Sequence, residues 1–351
     1  MLEPKSKAEL LNNHFCSIFS SNNCVTVPKI NNFSSYTMNS FVITPYDVFI
    51  SISKLKDSLS RTPEQIPATY IKNISRSLSK PLSILYNQIL SNTEIPKIWK
   101  HAIVTPIFKS GNKSSVLNYR PISLTSVFCR ILESILKHKI CKYLLQYNIV
   151  SYTQHGFLSG RSTATQQLAY FSQVTNFLEN FKACDAILID FSKAFDKISH
   201  FKLIQVLSLY KIDQKLINWI KCWLTNRSQQ TIVDNCLSRS CSVTSGVPQG
   251  SVLGPLLFIL YIESLIKQLN NFSKHIEVFA YADDIKILSY NKHDLQAALT
   301  ITENWAKTWD LEINPNKSIH VKFFSGYKSS SNTNTYFLNN KIIQTCQTVK
   351  I

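Results

Sequence analysis

Glycine is scarce in this chain, with 7 among 351 residues, so each one present is expected to mark a backbone position with a special task. Long apolar runs are missing as well. No stretch of about 18 apolar residues occurs, which excludes a spanning helix, and the start, Met1-Leu2-Glu3-Pro4-Lys5, lacks the apolar core of a signal peptide. Acidic residues are few: 21 Asp and Glu stand against 38 Lys and Arg, a formal charge of +17. A globular chain this basic is expected to meet a polyanion, and without a membrane segment nucleic acid is the stronger expectation. The nine cysteines include no C-x-x-C pair and no His at zinc-site spacing. They read as reduced residues of an intracellular protein, with Cys236 and Cys241 the pair a hairpin could bring together. What is present in quantity is apolar: 44% hydrophobic residues support a real core, and the length allows two or three subdomains.

Along the chain, Ala8–Phe15 carries a helical pattern, followed by a polar Ser- and Asn-rich stretch that reads as a tether. Amphipathic helices are predicted over 45–60 and 78–92, a strand over Ala102–Lys109, and a helix from about Ser126 to Tyr147 with Ile131, Leu132, Ile135 and Leu136 on its apolar face. Arg120 precedes Pro121 and so belongs in extended backbone, its side chain free to reach out. Lys109 and Arg120 both flank tight turns, where a cation either faces solvent or clamps a phosphate. The loop Gln154–Thr163 carries Gly156, which allows close backbone approach, and Arg161, near a helix start. Three of the seven glycines fall within Ser245–Pro255, ahead of a strongly apolar helix; this is a platform against which a base pair could lie.

Two strand ends carry the chemistry. Asp185–Ile189 is an apolar, buried strand that ends in Asp190; a carboxylate there is either a helix cap or a metal ligand. Val278–Leu288 reads as strand, turn, strand, with Asp283 and Asp284 at the tip. An Asp-rich turn closing an exposed hairpin would look the same. Adjacent carboxylates repel unless a cation lies between them, and hard oxygen donors suit Mg²⁺ or Mn²⁺. Placed on neighbouring strands, Asp190 and Asp283 can hold two divalent ions for in-line phosphoryl transfer.

Several ordered blocks resemble a known family. Asp190-Phe191-Ser192-Lys193-Ala194-Phe195-Asp196, Ser245–Pro255 and Phe279-Ala280-Tyr281-Ala282-Asp283-Asp284 look like motifs A, B and C of reverse transcriptases, and Asn118–Leu124 and Gln154-His155-Gly156-Phe157 resemble the blocks before them. The wording is similar to LINE-type, jockey- or CR1-like, non-LTR retrotransposons, over about residues 60–325. The resemblance implies an α+β right-hand polymerase fold with fingers and an antiparallel-sheet palm, the thumb largely missing. It divides the chain into a tether or linker (1–60), fingers with the first part of the palm (61–180), palm (181–325) and a truncated start of the palm–thumb connection (326–351).

By the same resemblance Asp190, Asp283 and Asp284 are the catalytic and metal-holding residues, with the Phe191 carbonyl assisting and Mg²⁺ or Mn²⁺ as cofactor. Phe195 would be the gate against a ribose 2′-hydroxyl; Lys109, Arg120 and Gln249 would contact the incoming nucleotide. Gly156, Arg161, Gly250, Tyr281, Lys317 and Phe323 would meet template and primer, Lys317 within motif D and Phe323 in the primer-grip strand. Implied partners are an RNA template, a DNA primer, dNTPs and the element's own RNA, with no membrane; the implied setting is nucleus and cytoplasm. A viral-type RNA-directed RNA polymerase would place an Asp where Phe195 stands and Gly-Asp-Asp where Ala282-Asp283-Asp284 stands. A group II intron maturase needs an RNA-binding domain downstream. A silent nucleic-acid-binding remnant remains the reading from a different class.

Overall fold

The computed structural model describes residues 3–20, 33–57, 62–325 and 334–350. In chain order these form α1 (Pro4–Cys16), α2 (Pro45–Ser53), α3 (Ala68–Asn73), α4 (Ser75–Asn92), β1 (His101–Phe108), β2 (Tyr119–Leu124), α5 (Val127–Gln146), α6 (Thr163–Phe181) and β3 (Ala183–Ile189). There follow α7 (Ala194–Lys197), α8 (His200–Leu209), α9 (Gln214–Leu224), β4 (Arg227–Val233), β5 (Cys236–Leu237), β6 (Cys241–Val243) and α10 (Gly254–Phe272). The remainder is β7 (Ile276–Tyr281), β8 (Asp284–Ser289), α11 (Lys292–Thr308), β9 (Ile319–Phe324), β10 (Phe337–Leu338), β11 (Lys341–Ile342) and β12 (Gln344–Lys350). The chain folds as two interleaved compact units, one of Met1–Tyr147 with Phe195–Leu257, the other of Asn148–Ala194 with Phe258–Ile351. These boundaries differ from those expected for tether, fingers and palm.

In the first unit β1 pairs antiparallel with β2 and parallel with β4, and β4 carries β5 and β6. Of the residues expected as a tether, 3–20 and 33–57 are here built into the unit. α1 lies on β4, with Leu11 and Phe15 against Val104, and the Asn12 amide donates to the Arg239 carbonyl (3.1 Å). Cys16 is bridged to Cys241, so neither the all-reduced expectation nor the Cys236–Cys241 pairing holds. α2 starts at a capping box, Thr44 with Asp47, and Pro45 supplies the fixed φ of a first turn. It ends at Ser53, short of the predicted residue 60; positions 58–60 lie outside the described residues. α4 begins before its predicted start and runs through Pro81 on the strength of its buried face, Leu82, Tyr86, Ile89 and Leu90. On α9, Trp219 and Trp223 are wholly buried, one turn apart.

The second unit is built on the sheet β12-β9-β3-β8-β7. Its β3, β7, β8 and β9 pair antiparallel, while β12 runs parallel to β9, so the sheet is mixed. Sequence periodicity carries no information on that pairing, because it reports faces and not neighbours. α6 lays Tyr170, Val174, Phe177 and Leu178 on the sheet, where they meet Cys184, Ala186, Phe279, Leu288 and Phe323. In the middle of the apolar β3, buried Asp185 accepts hydrogen bonds from His320 (3.1 Å), Asn334 (2.6 Å) and Tyr336 (2.7 Å). Those partners hold its carboxyl below the usual range against the opposing effect of burial, which is the largest single influence on it.

Candidate active site

β7 and β8 form a hairpin in which Tyr281 pairs with Asp284, leaving Ala282 and Asp283 as the two-residue turn. Ala282 has φ +57°, the left-handed conformation such a turn requires. On the other side of β8, Ile189 of β3 is paired with Ile285. Asp190, the residue after β3, follows this paired position and Asp284, the first residue of β8, precedes it, at the same end of the two strands. The three aspartates expected from sequence thus lie at the same end of two neighbouring strands, Asp190 and Asp283 half-buried and Asp284 exposed.

Backbone hydrogen bonds fix that end. The Asp190 carbonyl accepts from Asn314 N (2.8 Å), Ser192 N donates to the Glu312 carbonyl (2.7 Å), and Asp190 N donates to Ser318 Oγ (3.2 Å). Phe191 bridges to Ile313, its side chain buried edge-on to Trp305. Two residues beyond Asp284, Lys286 donates to Gln166 Oε1 (3.2 Å) and lies over the Tyr170 ring at 4.7 Å. Burial pulls its ammonium down; the charge of Asp284 opposes that.

Among the described residues, no three His, Cys, Asp or Glu side chains gather into a metal cage. A closed cage is not what a magnesium site of this kind needs. Mg²⁺ is ordinarily held by one or two carboxylates and completed by substrate phosphate oxygens and water. Hard carboxylates at the adjoining ends of β3 and β8 are donors of that type, and they fit a divalent ion.

The other expected residues divide between the units. In the second unit, Gly156 is pressed against the Asp283-bearing turn: a Cβ there would lie 2.5 Å from Ala282 N. Tyr281 is half-buried, its ring 6.3 Å from that of Phe157, and Lys317 is exposed on the turn after Asn314. Arg161 points back into its own loop, donating to the carbonyls of Ser151 (3.1 Å), Tyr152 (2.9 Å) and Gln154. Its guanidinium is thus engaged in closing the loop, where an outward contact with template or primer was expected. Phe323 likewise lies in the core, 4% exposed, facing Tyr170. On β9 its neighbours Lys322 and Phe324 take the opposite face.

In the first unit, Arg120 is exposed on β2 in the extended backbone its proline requires, and Lys109 is exposed where β1 ends, its N–H donating to the Asn118 carbonyl (2.8 Å). The Phe195 carbonyl accepts from Val247 N (2.8 Å). Gln249 donates from Nε2 to both Asp196 carboxylate oxygens (2.9 and 2.8 Å). Gly250 stands against the Ser123 carbonyl and Gly246, at φ +81°, against the Asp196 backbone; a Cβ on either would lie 2.6 Å from those oxygens. Three of the scarce glycines, Gly156, Gly246 and Gly250, thus serve close approaches of backbone to backbone.

Sequence reasoning missed several supporting residues. Asp196 lay inside a quoted motif without a role. Buried Glu133 accepts from Val252 N (2.8 Å) and Leu253 N (3.1 Å), tying α5 to the stretch that opens α10; burial raises its carboxyl while those bonds and Arg227 oppose the shift. Glu263, wholly buried on α10, accepts from Ser151 N (2.7 Å) and Ser151 Oγ. A lone acid amid the apolar run of that helix was the available signal.

Known proteins carry the same organisation in their sequences. The "Probable RNA-directed DNA polymerase from transposon BS" of Drosophila melanogaster is 32% identical over 254 residues, 69% of this chain and 28% of that protein. The "RNA-directed DNA polymerase from mobile element jockey" of Drosophila funebris is 26% identical over 295 residues, 80% of this chain and 32% of its own length. A type-1 retrotransposable element R2 polyprotein of Popillia japonica is 26% identical over 236 residues, 65% of the chain and 33% of the polyprotein. The chain therefore spans about a third or less of the length of these relatives. Residues 109–338, which include the strand-end aspartates and both glycine-bearing loops, match the family described as "Reverse transcriptase (RNA-dependent DNA polymerase)", and the chain belongs to that family.

Proposed function

We propose that this chain carries the polymerase chemistry of a non-LTR retrotransposon, extending a DNA primer on an RNA template with dNTPs. The observation that carries the reading is the position of Asp190, Asp283 and Asp284 at adjoining strand ends, within the segment that matches the family. The primer 3′-hydroxyl gives up its proton to solvent water as its oxygen forms a bond to the α-phosphorus, the bond from that phosphorus to the bridging oxygen breaks, and pyrophosphate leaves. Mg²⁺ or Mn²⁺, held by the three aspartates with the Phe191 carbonyl assisting, would supply positive charge to the attacking and leaving oxygens.

The remaining roles rest on the protein's own side chains. Phe195 fills the space a ribose 2′-hydroxyl would need. Lys109 and Arg120 are exposed cations suited to a triphosphate, and Gln249, steadied by Asp196, lies over the nucleotide. Gly156, Gly250, Tyr281 and Lys317 meet template and primer. The +17 charge draws in the phosphate backbone. Residues 61–180 supply the fingers with the first part of the palm, and residues 181–325 the palm. No helix among the described residues is long and apolar enough to cross a membrane. The element's own RNA is the proposed template in the cell, with work in nucleus and cytoplasm.

Primer extension on an RNA template with dNTPs and Mg²⁺, beside an Asp283→Ala control, tests the reading. Synthesis by the parent and none by the control supports it. Duplex binding by both proteins with synthesis by neither overturns it in favour of a silent nucleic-acid-binding protein.

A further inference from the structure

The turn that carries Asp283 does not hold its shape by its own residues alone. It is a two-residue turn with a non-glycine residue, Ala282, in the left-handed region, a conformation that L side chains disfavour without support. The N–H of Ala282 points at the side chain of Gln154, 128 residues earlier, at 3.1 Å from Oε1. The same oxygen accepts from Gly156 N at 2.8 Å. Both partners are backbone donors, so the atom between them must be the oxygen, which settles the orientation of the amide. Around this clamp the chain runs alongside β7 as an added strand: Ala280 N donates to the Thr153 carbonyl (3.0 Å), and His155 N to the Ala280 carbonyl (2.8 Å). Gly156 lets the two backbones close to a distance no Cβ would allow.

Gln154 is 0% exposed, and its Nε2 has no partner among the described residues. Burying an amide does not favour stability unless its hydrogen bonds are made. An apolar residue would fill the same space without that requirement, but would leave the N–H of Ala282 unmet and the turn free to relax. We propose that Gln154 is a positioning residue: its side-chain oxygen fixes the backbone of the turn and thereby the place of the Asp283 carboxylate. The assignment rests on the polymerase reading for its consequence, though not for its geometry. Asp283 is the group that acts; Gln154 acts through Ala282.

The test compares the full chain with Gln154→Met, which keeps the length and removes the acceptor, and Gln154→Glu, which keeps an acceptor oxygen. Hydrogen exchange at the Ala282 amide reads the clamp directly. In Gln154→Met it should rise about fivefold to tenfold, the worth of one hydrogen bond, and in Gln154→Glu it should stay within about twofold of the parent. Leu178→Ala, a core truncation on α6, should lower the melting temperature without selectively freeing that amide. Mn²⁺ binding, followed by the loss of free Mn²⁺ resonance, should weaken several-fold in Gln154→Met. DNA synthesis at saturating dNTP should fall about tenfold with KM for dNTP little changed, as for a misplaced group. An unchanged Ala282 exchange rate in Gln154→Met overturns the proposal, as does faster exchange with unaltered Mn²⁺ affinity. Should the parent make no DNA, the polymerase reading fails, and exchange together with Mn²⁺ binding still decides the role of Gln154.

Discussion

Replacing Glu263 by glutamine should change how the stability of the protein depends on pH. Glu263 is enclosed on α10, and burial, opposed by the two Ser151 hydrogen bonds and more weakly by Lys267 and Arg161, pushes its carboxyl from 4.5 up to about 7. Below pH 4.5 the group is neutral whether the chain is folded or not, so folding carries no penalty. Between 4.5 and 7 the unfolded chain releases the proton while the folded chain retains it, and stability falls; above 7 both are ionised and the loss is complete. At about 1.36 kcal/mol for each tenfold in proton affinity, the wild-type protein loses about 2–3 kcal/mol between about pH 5 and pH 8 through this residue. Urea unfolding of wild type and Glu263→Gln, followed by tryptophan fluorescence at both pH values, isolates it. The stability difference between the two proteins should shift by that amount in favour of Glu263→Gln at the higher pH. A difference that is equal at the two pH values refutes the reasoning.

Other outcomes follow from the same geometry. Gly246→Ala sets a side chain at φ +81° and 2.6 Å from the Asp196 carbonyl oxygen, and should cost about 1–3 kcal/mol in a thermal melt. Phe195→Ala should raise ribonucleotide incorporation relative to deoxyribonucleotide by about tenfold or more in a primer-extension competition. Asp196→Ala removes the carboxylate that steadies Gln249, and should raise KM for dNTP several-fold while leaving primer binding unchanged in a filter assay. Affinity for a primer–template duplex should fall steeply and linearly in logarithm with salt, about one phosphate's worth of slope disappearing when Arg120 is replaced by alanine.

Much of this was legible in the sequence because the decisive signals are local. The strand ending at Asp190, the hairpin tip at Asp283 and Asp284, and the helix carrying Trp219 and Trp223 each follow from apolar periodicity bounded by turn residues. What escaped depends on the partner of a side chain. Nothing around Arg161 tells whether its guanidinium turns outward to phosphate or inward to the carbonyls of Ser151 and Tyr152. Alternation along β9 does not say what each of its faces meets, and Phe323 lies on the one that packs against Tyr170 and Val174. Asp196 and Gln154 looked like ordinary polar members of their motifs because their partners, Gln249 and Ala282, are 53 and 128 residues away. The parallel docking of β12 on β9 has no local signature at all.

The middle position of β3 bears on how the protein is made. This apolar strand is flanked by β8 and β9, both of which leave the ribosome roughly a hundred residues or more after it. Until then it is an unpaired, sticky segment, the kind that recruits other chains edge to edge. Asp185, set within its otherwise apolar run, is a charge that such off-pathway pairing would have to bury without its proper partners. The residue that later receives His320 and Tyr336 is thus a charge set where a gatekeeper would be needed during synthesis, and Asp185→Val should increase aggregation of the nascent chain more than it lowers the yield of refolding at high dilution.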